Sequence, residues 1–189
     1  MSAPLANGPE GRRPYFRRRT GVKGGGLRFG NMPLDSRQIA KGTESDMSLV
    51  EEVARKLGGK AVLGRSVRSQ ADLALAVQAR LPLATLEGLV RAGFGESEID
   101  RLVIPPRTRR HRAEKQQPLT VEESDRAVRL LRLQTLAEAT FGDRDKAAAW
   151  LRHPLAVLDG ETPLDVACSE AGARVIETIL AKIAWGAAA

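Results

Sequence analysis

Aromatic residues make up only 4% of the 189-residue sequence. A core therefore has to be packed mainly from Leu, Val, Ile and Ala, a composition that favours helices. The single cysteine, Cys168, excludes an internal disulfide framework and fits a reducing cytosol. No apolar run approaches the roughly 20 residues that span a bilayer, and the N-terminus lacks a signal-peptide apolar region. The expectation is a soluble cytoplasmic protein with no membrane contact. Catalytic patterns are missing too. His111 and His153 are far apart and stand in no metal-ligand spacing. Cys168 has no neighbouring His and is expected to be an inert small core residue. Asp159, Glu161 and Asp165 look like turn and cap residues rather than a general acid/base pair. Gly24 to Gly26 lacks the Gly-Lys-Ser/Thr ending of a phosphate loop and follows no predicted strand. The expectation is a non-enzyme with no cofactor and no metal.

Charge is abundant and uneven. The net charge is +7, and residues 1–45 carry nine Lys/Arg against three acids, so nearly all the excess sits there. An anionic partner is implied, and distribution decides which. Residues 1–44 mix Arg, Gly, Pro and Ser without helical or strand period and are expected to be a disordered basic tail. Its Arg17–Arg19 cluster is read either as a non-specific phosphate contact or as a solvated tail.

From residue 45 onward the punctuation is that of short helices. Ser48 and Glu51 form a capping box, with Leu49, Val53 and Leu57 at helical spacing before Gly58-Gly59. Ala61–Leu63 is a candidate extended segment. Ser69 and Asp72 open a helix carrying Leu73, Leu75 and Val77. Pro82 marks another entry, with Leu83, Leu86, Leu89 and Val90 on one face and Gly93 beyond the end. Glu96 to Ile104 is the next helix, with Ile99, Leu102 and Val103 apolar. After Pro105 comes a second short helix loaded with arginine, entered at Pro106. Short helix, tight break and basic helix is the local pattern of a helix-turn-helix, whose second helix enters the major groove. Arg pairs with phosphate or binds guanine bidentately, so Arg107, Thr108, Arg109, Arg110, Arg112 and Lys115 are the candidate DNA contacts. Thr120 and Glu123 then cap the longest helix, to about Phe141, whose apolar surface is wider than one stripe. It is expected to join two modules and to support a homodimer, since helix-turn-helix proteins usually read two-fold sites as dimers.

The stretch from Asp143 to Gly186 is the most densely punctuated. Asp143 starts a helix through Trp150-Leu151 that should stop before His153, because Pro154 excludes the helical region for its predecessor. Leu155, Val157 and Leu158 form an apolar connector closed by Asp159-Gly160. Thr162 suits the N-cap of a helix of about two turns, with Pro163 first and Asp165 in the reciprocal role. Ser169 starts the last helix and Gly186 ends it. Thr162 to Ala167 is similar to the ankyrin Thr-Pro-Leu-His-x-Ala signature, but no second copy follows at about 33 residues. In the last helix Ile176, Leu180 and Ile183 are expected to face the core, widened by Val175 and Ile179. Arg174, Thr178, Ala181 and Trp185 then share the solvated side. A Trp there, beside Arg174 and Lys182, has the character of a binding hot spot, unless the end frays and Trp185 folds back onto the core.

Trp150-Leu151, Gly160 to Asp165, Gly172-Ala173 and the Ile183 to Gly186 ending together strongly resemble the toxin-binding domain of Xre/MbcA/ParS-type antitoxins. The resemblance extends upstream, more loosely, to roughly Val62. It implies an all-α chain with an Xre-like helix-turn-helix region over 45–141 and a small helical toxin-binding domain over 142–189. It further implies a RES-domain, NAD-consuming toxin as partner, neutralised by direct binding, and operator DNA as a second partner for repression of the shared operon. Arg174, Thr178, Ala181, Lys182, Trp185, Gly186 and Ala187 become the expected toxin-binding residues, with Trp185, Gly186 and the Ala187 to Ala189 tail as a plug near the toxin's NAD site. One departure stands out: Arg109 occupies a position where an apolar anchor is expected, and a helix with almost no apolar face packs weakly. The competing reading is a plain helix-turn-helix regulator whose C-terminal domain only dimerises.

Overall fold

The computed structural model describes residues 48–186. The expectations for the tail over 1–44 and for Ala187 lie outside these residues. Everything described is helix, turn or irregular chain, without a strand. Helix α1 covers 48–56, followed by α2 (Gly59–Leu63), α3 (Gln70–Gln78), α4 (Leu86–Arg91), α5 (Glu96–Leu102) and α6 (Pro106–Glu114). The long α7 (Val121–Phe141) leads into α8 (Arg144–Arg152), α9 (Pro163–Val166) and α10 (Glu170–Ala184).

Most of these boundaries are set by one side chain meeting one unsatisfied backbone N–H in the first helical turn. Ser69, Thr120, Asp143, Thr162 and Ser169 accept from Asp72, Glu123, Lys146, Asp165 and Gly172 respectively. At Thr120 the box is reciprocal, with Glu123 Oε2 accepting the Thr120 N–H at 2.7 Å. His153 closes α8 in an extended conformation ahead of Pro154, as its position requires.

Two hydrophobic cores share α7. The first gathers α1, α3, α4 and α5 with Ala127, Val128, Leu130 and Leu131 of α7, and takes in Leu164 of α9. The second sets Leu133 and Ala137 of α7 against Ala147, Leu151, Ala173, Ile176, Ile179 and Leu180. The wide apolar surface of α7 is therefore consumed inside the chain, and its exposed residues are Glu122, Arg126 and Ala139. That removes α7 as the support for a dimer.

Several local expectations are corrected. Ala61–Leu63 is helical, because with no strand alongside, an extended piece would leave its N–H and C=O groups unpaired; α2 pairs them locally and ends at Gly64. Helix α9 is one turn rather than two. Cys168 consequently falls in the junction before α10 and is exposed, not a core residue. Leu75, Val90 and Val175 are 54%, 50% and 47% exposed, on the outer sides of helices whose inner sides are already filled. Val157 also faces solvent, so the connector over 156–158 is not a buried apolar link.

Glycine is required at Gly172 for space. A Cβ there would lie 1.8 Å from the Val166 carbonyl oxygen, so α10 crosses the end of α9 at backbone contact. Gly172→Ala is expected to cost ~1–3 kcal/mol by overpacking, which lowers the melting midpoint by several degrees, about 2–4 °C for each kcal/mol. An unchanged thermal melt would show that α10 can slide without cost.

Candidate functional site

Helix α6 buries none of its residues, and its arginines divide by direction. Arg107, Arg110 and Lys115 are exposed, and their side chains have no hydrogen-bond or ion-pair partner among the described residues. Positions 107 and 110 are one turn apart and so present adjacent cations. His111 is exposed next to them, and Thr108 is half-buried. Arg109 and Arg112 lie on the inner side, paired with acids of α5 and α7. Of the six candidate DNA contacts, the fold thus leaves three cations exposed, two of them adjacent, and holds two arginines against the body. The acids involved, Glu96, Asp100 and Glu123, were not legible as partners, since no local spacing rule links residues 9 to 13 positions apart.

Helix α10 carries the other surface. Ile176, Ile179 and Leu180 are buried, and Ile183 is partly so. Arg174, Thr178, Ala181, Lys182, Trp185 and Gly186 are all exposed. Trp185 is 89% exposed, so it does not fold back onto the core. Val175 joins this surface rather than the core, because it sits about 100° around the helix from Ile176. Val175 and Trp185 are ten residues apart, about 15 Å along the axis. Around them Thr178 Oγ1 donates to the Arg174 carbonyl at 2.8 Å, and Arg174 reaches Glu170 at 3.3 Å. Lys182 has no side-chain partner among the described residues. The second tryptophan, Trp150, is partly buried with its ring 5.6 Å from that of Phe141.

Between the two cores runs a seam of arginine contacts. Arg152 holds Glu98 through two bonds of 2.8 Å, donates to the Gly93 carbonyl at 3.1 Å, and stacks over Phe94 at 5.7 Å. Arg132 pairs with Glu177 at 2.6 Å, Lys56 with Glu138 at 2.5 Å, and Arg101 with Asp165. Burial of Glu98 opposes its charge, but bonds from Arg152 and the Gly95 N–H outweigh it and hold the carboxyl below the usual range. Asp165 is lowered by the Thr162 hydroxyl and then by Arg101. Carboxyls with depressed folded pKa values stabilise the fold above their unfolded values near 4 and lose that contribution as pH falls through the folded values. Glu98→Gln is therefore expected to melt about 2–4 °C lower at pH 7, for a contribution of ~1 kcal/mol. The gap should close in acid, and a gap that persists at pH 2.5 would refute the linkage.

Among the described residues no helix is long and apolar enough to cross a membrane, and no group of three or more His, Cys, Asp or Glu is placed to hold a metal. Two family models match the chain: the antitoxin Xre-like helix-turn-helix domain over residues 72–132, and the antitoxin Xre/MbcA/ParS C-terminal toxin-binding domain over 136–186. The first takes in most of α3, all of α4 to α6 and the first half of α7. The second begins in the last part of α7 and runs through α10 to Gly186. A protein named Antitoxin Xre from Pseudomonas putida is 42% identical over 84 residues, 44% of this chain and 53% of that protein. One of the same name from Photorhabdus laumondii is 33% identical over 95 residues, 49% of this chain and 64% of that protein. The chain thus matches between half and two thirds of the length of these relatives. On the helical fold of its described residues the chain thus carries, in this order, a match to the antitoxin Xre-like helix-turn-helix domain and a match to the antitoxin Xre/MbcA/ParS C-terminal toxin-binding domain.

Proposed function

We propose that the chain is the antitoxin of a type II toxin–antitoxin pair, neutralising a RES-domain, NAD-consuming toxin by direct binding through α10. The observation that carries this reading is the 89% exposure of Trp185 at the end of a helix whose opposite face is fully packed. An exposed Trp loses nothing to the fold when a partner covers it, and Trp is enriched among residues that dominate binding energy. Val175 adds a second exposed apolar side chain about 15 Å along the same helix, and Lys182, without a side-chain partner among the described residues, adds a positive charge suited to an acidic partner surface. Gly186 and the residues beyond it follow Trp185 directly and are positioned in sequence to act as the plug.

The same chain is proposed to bind its own operator through α6, with Arg107, Arg110 and Lys115 as phosphate or base contacts, and to repress its operon. Two-fold operators call for a dimer, which here needs a surface other than α7. Light scattering of the full chain at micromolar concentration should return at least twice the monomer mass; a monomer mass counts against this part. The activity is tested by co-expression with any RES-domain protein encoded in an adjacent open reading frame. Growth arrest by that protein should be relieved by the full chain. Arrest that persists while the chain still binds its upstream DNA favours the plain regulator, whose C-terminal domain only dimerises.

A further inference from the structure

Helices are ordinarily seated by an apolar stripe, yet α6 has none and buries no residue. What reaches inward is cationic. Arg109 Nη2 lies 3.1 Å from Asp100 Oδ1 and 3.5 Å from Glu96 Oε2, both on α5. One turn on, Arg112 Nε lies 3.3 Å from Glu123 Oε2, Nη2 donates to Glu123 Oε1 at 3.3 Å, and Nη1 donates to the Pro118 carbonyl at 3.0 Å. Two of these pairs are shielded: the side chains of Arg109 and Asp100 are 27% and 22% exposed and those of Arg112 and Glu123 only 14% and 11%, whereas Glu96 is open to solvent. Partial burial makes such pairs stronger and less salt-sensitive than surface ones. Glu123 also closes the capping box of α7, so α6 is fastened to α5 at one point and to the start of α7 at another.

We propose that Asp100 and Glu123 are positioning residues that seat α6 through Arg109 and Arg112, and that these two arginines orient the DNA-reading helix without contacting DNA. The inference rests on the proposed DNA reading of α6 and makes a prediction of unusual sign. Removing an acid from a DNA-binding protein ordinarily strengthens binding, because it removes repulsion from phosphate. At Asp100 it should weaken binding, because it releases the helix that presents Arg107 and Arg110.

The test uses the full chain, its Asp100→Asn variant and an Asp100→Ala/Arg109→Leu double variant, titrated against the DNA upstream of its own coding sequence over a range of salt. Asp100→Asn is expected to lower affinity about tenfold, ~1.4 kcal/mol, with the salt slope unchanged. The double variant replaces the ion pair by an apolar contact and should stay within about threefold of the parent at the same slope, whereas loss of a phosphate contact would lower the slope by ~0.9. Hydrogen exchange without DNA supplies a reading independent of any operator: α6 amides should exchange faster in Asp100→Asn, while those of α3 and α10 do not change. A parent chain that fails to bind DNA would overturn the proposed function, and faster α6 exchange would still support the seating. Unchanged α6 exchange, tighter DNA binding by Asp100→Asn, or a slope lowered by about one in the double variant would each overturn the positioning role.

Discussion

Ending the chain after Ile183 is expected to abolish inhibition of the toxin while leaving helical circular dichroism and DNA binding nearly intact. The deletion removes Ala184, Trp185 and Gly186, all exposed, together with the last three residues. The second core closes on Ile176, Ile179 and Leu180, so its packing is retained. The expected loss is large because central aromatic anchors cost ~2–4 kcal/mol or more when truncated, a factor of about 30 or greater in affinity. Trp185→Ala alone should therefore weaken inhibition about 30-fold, with the shortened chain weaker still for want of the plug. Full inhibition by the shortened chain at equal concentration would leave Trp185 without a role in the complex.

The second large effect is on DNA. Arg107→Ala with Arg110→Ala removes the two adjacent outward cations of α6, and each lost phosphate contact should lower the salt slope by about one. Operator binding is expected to fall at least 100-fold, since base or phosphate contacts of this kind contribute ~1–3 kcal/mol each. Adding Arg109→Ala and Arg112→Ala should remove binding altogether by unseating the helix. Toxin binding through α10 should survive both changes. A gel-shift titration in which the quadruple variant binds like the parent would move the DNA contact off α6, and the basic residues over 1–45 would then be the place to look.

How much of this was legible in the sequence follows from the range of the interactions involved. Helix starts were readable at Ser69, Thr120, Asp143, Thr162 and Ser169, because a cap is a contact between residues three apart and nothing distant competes with it. The turn at Asp159-Gly160 was readable for the same reason: both residues take left-handed backbone angles. The core face of α10 was largely correct from periodicity alone, and the exposure of Trp185 followed from it. Periodicity failed at Val90 and Val175 because a helical wheel fixes angles but not how wide the packed side is. That width depends on neighbours supplied by α7, α8 and α9. The direction of Arg109 and Arg112, and the arginine seam through Arg101, Arg132 and Arg152, were not readable at all. Their acidic partners lie 9 to 64 positions away, and formal charge says nothing about which cations are consumed internally. The departure at Arg109 was nevertheless visible as a missing apolar anchor, and the structure explains it as an ion pair in the anchor's place.

The central claim is that α10 and the chain end neutralise a RES-domain toxin by covering it. The most direct measurement is the rate of NAD consumption by a purified RES-domain protein, taken from any adjacent open reading frame that encodes one, titrated with the full chain at fixed NAD. The rate should fall linearly and reach zero at a fixed molar ratio, with Trp185→Ala requiring a large excess. A rate unaffected by a tenfold excess of a chain that still binds its operator would contradict the account.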